Sequence, residues 1–408
     1  MSLSSLVDDM TVMLHTVEPP STKDRCIYKV PSVIRKHNKD AYTPNFVSIG
    51  PFHHGHPQLK NMECQKLVYF KAFLQRTYAS LSILINEIDS ILSDFKCHYS
   101  ETLPFSDKER VKLILIDSGF IIQLFWKYSR DDYLEPWFDA GIRSDLLLLE
   151  NQLPFFVIEK IYSLSCSSVP SFLELTINYF QYFNISKKSE LGISIRHFTD
   201  LIRIFHLQHP IESQPSRDKI GEQIILLPSA TQLLEAGVRF RVNAESECLL
   251  DLGFSEGVLK IPRLRVEDGT EILFRKMVAL EQCHYPKASY ITDYVVVLDF
   301  LINTGKDVDI LVHKEILENW LGDSDSVANL FNGLGKNVIH GNIGSHFSDL
   351  CNGLNAFCSN PRNKLKASLR RDYGKTPWQT AASVAGILLL VLTLLQSVCS
   401  VMQVVQAS

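Results

Sequence analysis

The chain has 408 residues, of which 46% are hydrophobic and 21% charged, a composition that excludes an intrinsically disordered protein. Its 41 basic residues are outnumbered by 45 acidic ones, and the net charge of −4 excludes nucleic-acid binding through an overall positive field. Nine cysteines occur without a Cys-x-x-Cys pair, which favours free thiols over a zinc module or a disulfide scaffold.

The first half of the chain is predicted to be helical. Residues 1–25 lack the basic start and apolar run of a signal peptide, so they are interpreted as an N-terminal tail. Ser106 with Glu109 and Ser171 with Glu174 have the spacing of capping boxes, which mark the N-termini of helices. A helical subdomain over 26–205 follows, with helices predicted at 59–92, 107–128, 144–164, 172–183 and 195–205.

The second half is predicted to combine helices with a small sheet. A polar stretch with three prolines, 206–228, is interpreted as a loop or linker before a second subdomain over 229–360. Ser229 and Gln232 form a third capping box. Alternating apolar residues in 238–266 predict a small antiparallel β-meander, so the expected fold is mainly α. Further helices are predicted at 230–236, 270–283, 290–303 and 307–321.

The C-terminal end is predicted to form a single transmembrane helix. Residues 376–408 contain no charged side chain, and 377–402 meet the requirement of roughly 20 apolar residues for crossing a bilayer. A basic juxtamembrane segment, 361–376, precedes this helix, and a short tail, 403–408, follows it. The basic residues of the flank are Arg362, Lys364, Lys366, Arg370, Arg371 and Lys375.

The charges around this helix predict its orientation. By the positive-inside rule the globular part faces the cytosol, which makes the chain a tail-anchored, single-pass membrane protein of either the plasma membrane or an endomembrane. Ala382 and Gly386 have the spacing that permits a homodimer through the membrane helix. Asn184 begins an Asn-x-Ser sequon, which is a glycosylation acceptor only if the globular part faces the lumen.

A histidine cluster is the first candidate for chemistry. His53, His54 and His56 follow a Gly-Pro turn and could share a metal ion if the loop folded back on itself. A metal site needs three or four converging ligands with oriented partners behind them, which one loop does not readily supply. The alternative interpretation is a turn into the next helix whose histidines cap it or bond backbone.

A pair of carboxylates is the second candidate. Asp145 and Glu150 could act as an acid and a base across a cleft, but five residues apart they lie well round a helix from one another. The structural interpretation is favoured, in which Glu150, Asn151 and Gln152 satisfy buried backbone groups left unpaired where Pro154 breaks the helix.

Several sequence blocks resemble the plant family called domain of unknown function 247. The first are Ile-Tyr-Lys-Val-Pro at 27–31 and Tyr-Thr-Pro-Asn-Phe-Val-Ser-Ile-Gly-Pro-Phe-His-His-Gly at 42–55. Similar blocks follow in the family's order at 115–120, 149–156, 228–231, 235–240, 257–262 and 279–283. The resemblance implies a plant protein, single-pass at its C-terminus, without an established enzymatic activity, ligand or metal. Some members of the family in grasses are associated with self-incompatibility, a pollen and stigma recognition system, and this association favours a recognition role over a catalytic one.

The expected function is therefore that of a membrane-anchored protein-interaction or recognition module with an unknown protein partner. No Walker A loop, Gly-x-Ser-x-Gly elbow, zincin or kinase motif is present in the sequence, so neither a cofactor nor an enzymatic activity is predicted. Two alternatives remain open. One is a cell-surface component of a self-incompatibility type system, which needs the opposite topology, and the other is an enzyme or metal site at the histidine loop.

Overall fold

The computed structural model describes most of the chain. The described residues are 3–16, 24–36, 38–132, 134–165, 170–189, 191–207, 226–336, 338, 345–363 and 377–407. Two compact units are present, and each is built from segments that are separate in the sequence. The first unit comprises Met1–Gln214, Gly269–Thr292 and Lys336–Ile339, and the second comprises Pro215–Asp268, Asp293–Gly335 and His340–Ser408. Most of the predicted linker at 206–228 lies outside the described residues.

The described residues are mainly helical, as predicted, and the first half of the chain contains ten α-helices among them. Their bounds are α1 (Leu3–Thr16), α2 (Ser32–Arg35), α3 (Lys60–Arg76), α4 (Leu81–Ser90), α5 (Leu92–Cys97), α6 (Asp107–Tyr128), α7 (Pro136–Asp145), α8 (Phe155–Ser165), α9 (Phe172–Tyr179) and α10 (Phe198–His206). Short 3-10 turns lie at Asp40–Tyr42, Pro57–Leu59 and Gln181–Phe183.

The second half of the chain alternates helices with short strands. The helices are α11 (Ala230–Glu235), α12 (Asp268–His284), α13 (Tyr290–Leu301), α14 (Gly305–His313), α15 (Ser324–Leu334), α16 (Ser345–Ser359) and α17 (Pro377–Ala407). The strands are β1 (Arg239–Val242), β2 (Gly253–Ser255), β3 (Val258–Ile261), β4 (Leu264–Val266) and β5 (Leu317–Asn319).

Helix α6 is the centre of the first unit's core. Ser106 and Glu109 form the predicted capping box at its N-terminus, each satisfying a backbone N–H of the other. Beyond the first turns almost every residue of the helix is buried, and it packs against α3, α4, α8 and α9. Phe125 stacks on Tyr179 with ring centroids 4.4 Å apart. A helix buried on nearly all sides has no exposed polar stripe, so its capping box is the clearest signal of where it begins.

The predicted antiparallel β-meander at 238–266 is wrong. Strand β3 lies between β1, which runs parallel to it, and β2, which is antiparallel to it through a Glu256-Gly257 turn with φ of 51° and 72°. Strand β4 instead pairs in parallel with β5, so two small sheets are present in the second unit. Alternating side chains predict strands, but they do not identify a partner far away in the sequence.

Two predicted helices are interrupted by a second helix, and a third, 307–321, contains strand β5 after the end of α14. The stretch 59–92 forms α3 and α4, because α3 ends at Arg76 and the Ser80 side chain caps a new helix. The stretch 144–164 spans the end of α7, an irregular turn and α8. Apolar periodicity continues through both breaks, so it does not mark where one helix stops.

The predicted transmembrane helix is also wrong. Helix α17 covers the segment, but within the described residues no helix is both long and apolar enough to cross a membrane. The prediction counted 377–402 as a run of roughly 20 apolar residues, but the uninterrupted apolar run covers only 384–392, and polar Thr393, Gln396 and Ser397 follow it. The tail-anchored topology and the single-pass membrane location are corrected with it.

The predicted basic flank is described only at its start. Arg362 is exposed, and its backbone N–H donates to the Asn360 side chain at 3.0 Å. Lys364, Lys366, Arg370, Arg371 and Lys375 lie outside the described residues.

Candidate functional site

A buried segment without helix or strand, residues 43–53, is the central feature of the first unit. Val47 and Ile49 have no exposed surface, and Ser48 is 1% exposed. A buried backbone that lacks the regular hydrogen bonds of a helix or a sheet needs other hydrogen-bond partners, because an unpaired N–H or C=O group away from water costs free energy. In this segment the partners are side chains from α3, α6 and the turn between α7 and α8.

Asp145, the last residue of α7, accepts hydrogen bonds from three consecutive backbone N–H groups. Its carboxylate lies 3.0 Å from the backbone nitrogen of Asn45, 2.6 Å from that of Phe46 and 2.9 Å from that of Val47. Burial raises the pKa of Asp145, and the three backbone donors oppose that rise without cancelling it. The carboxylate is thus committed to holding the segment.

Asn151 and Gln152 satisfy the backbone on both sides of the turn. The Asn151 side chain accepts from the backbone N–H of Ile49 at 2.7 Å and donates to the carbonyls of Val47 at 2.9 Å and Asp145 at 3.0 Å. The Gln152 amide group donates to the carbonyls of Leu146 and Leu148. The prediction that these two residues satisfy buried backbone groups is confirmed, but the partners of Asn151 lie in the segment and at the end of α7 and not at Pro154.

Lys66 and Asp117 hold the middle of the segment, and the sequence reasoning missed both. Asp117 accepts from the backbone N–H of Gly50 at 2.8 Å. Lys66 is fully buried, and its ammonium donates to Asp117 at 2.6 Å and to the carbonyl of Ser48 at 2.8 Å, with Glu63 also 2.8 Å away. Burial opposes charge on Lys66, but the two carboxylates outweigh it and raise its pKa. Asp117 within the apolar helical stretch 113–125 was the available signal, whereas α3 also contains Lys60 and Lys71, from which the sequence does not distinguish Lys66.

Glu150 ties a second part of the chain to this network. It is 4% exposed and accepts from the backbone N–H of Val30 at 2.6 Å and from the guanidinium of Arg35. His53 lies 3.1 Å from its other oxygen. Burial raises the pKa of Glu150, but the hydrogen bond to His53 and the charge of Arg35 outweigh it, so the net shift is downward. Glu150 therefore accepts hydrogen bonds from Val30 and Arg35, and not from the backbone groups near Pro154 that the sequence analysis assigned to it.

The histidine cluster is spread over different surroundings. His53 contacts Glu150, whereas the ring of His54 is exposed and packs edge-on against Phe105, with centroids 5.8 Å apart. His56 is exposed and precedes a 3-10 turn, where its carbonyl accepts from Leu59. Across the part of the chain that the structure describes, no group of three or more His, Cys, Asp or Glu side chains is arranged to hold a metal ion.

Asp145 and Glu150 are likewise engaged with different partners, so the structure gives them separate roles in the scaffold.

Asn184, the predicted glycosylation acceptor, is 8% exposed, and its side-chain amide donates to the carbonyl of Lys188 at 2.8 Å. Glycosylation at Asn184 remains a prediction.

Lys276 of α12 is a second buried lysine with a contrasting environment. It is 3% exposed, and its nitrogen lies 2.7 Å from the carbonyl and 2.9 Å from the hydroxyl of Ser144. Neither acceptor carries a charge, and both oxygens of nearby Asp145 face backbone N–H groups. Burial lowers the pKa of Lys276 to about 7, although Asp145 opposes that shift. Two acceptors match the two N–H groups of a neutral amine.

An aromatic surface with one exposed ring and two half-buried rings adjoins this network. It consists of Trp137 and Phe138 of α7 and Phe46 of the buried segment, whose ring centroids lie 5.5 to 6.2 Å apart. Trp137 is 68% exposed. The ring of Phe46 lies so close to Gly141 that a Cβ atom there would be 2.4 Å from it. The sequence reasoning missed this surface, although Pro136-Trp137-Phe138 at a helix start was a visible signal.

Comparisons with known proteins place the chain among plant proteins. A family model described as plant protein of unknown function matches residues 27–392. The UPF0481 protein At3g47200 of Arabidopsis thaliana is 28% identical over 422 residues, which cover 95% of this chain and 88% of that protein. The putative UPF0481 protein At3g02645 of the same plant is 22% identical, with 91% of this chain and 89% of that protein covered. No solved structure matches the chain.

Gly50→Ala is expected to destabilise the first unit more than Gly55→Ala. Both glycines have positive φ, 71° and 81°, which costs a residue with a side chain about 1 kcal/mol. A Cβ atom at Gly50 would also lie 2.3 Å from the backbone oxygen of Gln152, whereas nothing lies within 4 Å at Gly55. The expected loss of unfolding free energy is therefore about 3 kcal/mol against about 1 kcal/mol. Urea denaturation followed by circular dichroism measures both, and equal losses would contradict the close approach.

Lys276→Met is expected to flatten the rise of stability with pH. The folded-state pKa of Lys276, about 7, lies below the ordinary value of 10.5. Between these values the unfolded chain binds more protons than the folded chain, so wild-type stability rises with pH, by at most about 1.4 kcal/mol per unit. The measurement is the urea midpoint from pH 7.5 to 9.5.

Lys287→Met serves as the control, because Lys287 is exposed and its ammonium is hydrated in both states. If wild type, Lys276→Met and Lys287→Met show the same slope, Lys276 is charged in the folded protein.

Proposed function

The chain belongs to the plant family called domain of unknown function 247, and we propose that it acts as a protein-interaction module that binds its partner through the aromatic surface of Trp137, Phe138 and Phe46. The observation that carries this proposal is the 68% exposure of Trp137 on a rigid support. Tryptophan is among the residues most enriched at the energetic centres of protein interfaces. Trp137 packs against Phe46 and Phe138 and still exposes most of its surface, which a bound partner would cover.

The support beneath the aromatic surface is the second argument. Phe46 is held from below by Asp145, whose carboxylate accepts its backbone N–H at 2.6 Å, and from the side by Gly141. Trp137 and Phe138 lie on the first turns of α7, the helix that ends at Asp145. A surface whose side chains are ordered before binding loses less conformational entropy when the partner arrives, which favours recognition.

The polar groups beneath the surface favour support over catalysis. Asp145 and Glu150 direct their oxygens at donors of the chain itself, and Lys66 donates to three acceptors. A general acid or base needs a lone pair or a proton that faces a substrate. The function that this arrangement supports best is therefore the presentation of a fixed surface.

Trp137→Ala is expected to weaken partner binding by at least 2 kcal/mol, or about 30-fold, because it removes the proposed anchor. Affinity capture from plant extracts with the wild-type chain identifies proteins to test. Each purified candidate is then titrated by calorimetry against wild type and variant.

Trp320→Ala is the matched control. Trp320 is 62% exposed, but it lies in the second unit and is covered by Arg265. Both substitutions affect exposed side chains, so the unfolding free energy of each variant should stay within about 0.5 kcal/mol of wild type. Partners that bind the two variants and wild type equally would contradict the proposed surface.

A further inference from the structure

We infer that the partner presents an arginine or lysine side chain to the open face of Trp137, with Glu135 as its counter-ion. The inference rests on the proposed function and names the chemistry of the segment that the aromatic surface recognises. Three observations support it. Cations lie over the rings of the other described tryptophans, no such cation lies over Trp137 within the described residues, and the charged residues near Trp137 in the sequence are acidic.

Arginine covers the other described tryptophan side chains. Arg76 and Arg130 lie over the ring of Trp126, with guanidinium carbons 4.2 and 5.5 Å from the ring centroid. Arg265 lies 3.6 Å from the centroid of Trp320. A cation over an aromatic face is attracted by the negative potential of the ring, most strongly for tryptophan.

Trp137 differs from these residues. Its ring neighbours are Phe46 and Phe138, with centroids 6.2 and 5.5 Å away, and within the described residues no lysine or arginine lies over its ring. It is nevertheless the most exposed of the three described tryptophan side chains, at 68%. The face that carries a cation at Trp126 and Trp320 is therefore available to a partner at Trp137.

The charges beside Trp137 have the sign that attracts a cation. The stretch 131–139 contains four acidic residues and no lysine or arginine. Asp139 pairs with Arg143 at 2.5 Å, and Asp132 lies 3.2 Å from Lys127, so these two already have cations. Glu135 is exposed and lies two residues before Trp137, at the N-cap of α7.

A cationic group is favoured over the other occupants of an exposed aromatic surface. An acidic partner segment would meet Glu135 and be repelled by it, and a purely apolar segment would leave that carboxylate without a partner at the rim. A lysine or arginine with its apolar stem along Phe46 and its charge between Trp137 and Glu135 satisfies all three groups.

The experiment selects peptides from a random dodecapeptide display library on the full chain. Enriched peptides are synthesised in two forms, one with arginine and one with uncharged citrulline at the same positions, and titrated by fluorescence anisotropy. The expected result is enrichment of arginine and lysine, with affinity about fivefold weaker for the citrulline forms.

The variants separate the residues involved. Trp137→Ala should abolish the difference between the two forms, and Glu135→Gln should reduce it and weaken its salt dependence. The matched controls are Trp320→Ala, whose ring already carries Arg265, and Asp132→Asn, whose carboxylate already pairs with Lys127. Both controls should bind the peptides as wild type does.

Other outcomes overturn the inference in distinguishable ways. Peptides that need Trp137 but bind equally with citrulline would refute the cationic partner while leaving the proposed interaction surface intact. A selection that yields no Trp137-dependent peptide would refute both. If sedimentation shows a dimer that Trp137→Ala makes monomeric, the occupant is a second copy of this chain.

Discussion

Three consecutive backbone N–H groups converge on one buried carboxylate, and the surface above them depends on that contact. Asp145 holds Asn45, Phe46 and Val47 with oxygen to nitrogen distances between 2.6 and 3.0 Å. A charged acceptor makes stronger hydrogen bonds than a neutral one, particularly where water is excluded. Because successive N–H groups of an extended strand point in opposite directions, this convergence bends the chain. The bend places the Phe46 ring over α7.

The sequence predicted the parts of the fold that local rules govern. Helix α6 has the predicted bounds, since its capping box is completed by neighbouring residues. The break between α7 and α8 depends on distant partners instead: Asn151 reaches Val47 and Ile49, which are about a hundred positions away. A polar residue in an apolar stretch indicates that some partner exists, but its identity requires the tertiary fold. The structural interpretation of Asn151 was therefore accessible, whereas its contacts were not.

The errors have a similar origin. The strands near 238–266 were predicted from alternation, yet β4 pairs with β5, which lay inside a predicted helix. Residues 377–402 were predicted to span a bilayer, although polar residues interrupt the sustained apolar run that crossing requires. His53, His54 and His56 adjoin in sequence, but they lie in a turn closed by a hydrogen bond from the His56 N–H to the His53 carbonyl, and only His53 contacts Glu150. The three histidines are close in sequence but do not share a site, whereas β4 and β5 are distant in sequence and pair directly.

Lys66 and Lys276 show how one scaffold tolerates two buried amines. Lys66 faces two carboxylates and remains charged, so its burial is compensated by its partners. Lys276 donates to a carbonyl and a hydroxyl of Ser144. The carboxylate oxygens of Asp145 accept hydrogen bonds from the backbone of the buried segment instead. The carboxylate that fixes Phe46 favours the charged form of Lys276 less than burial disfavours it, so the pKa of the lysine falls to about 7. The placement of Asp145 therefore both holds the Phe46 backbone and accompanies a lowered pKa at Lys276.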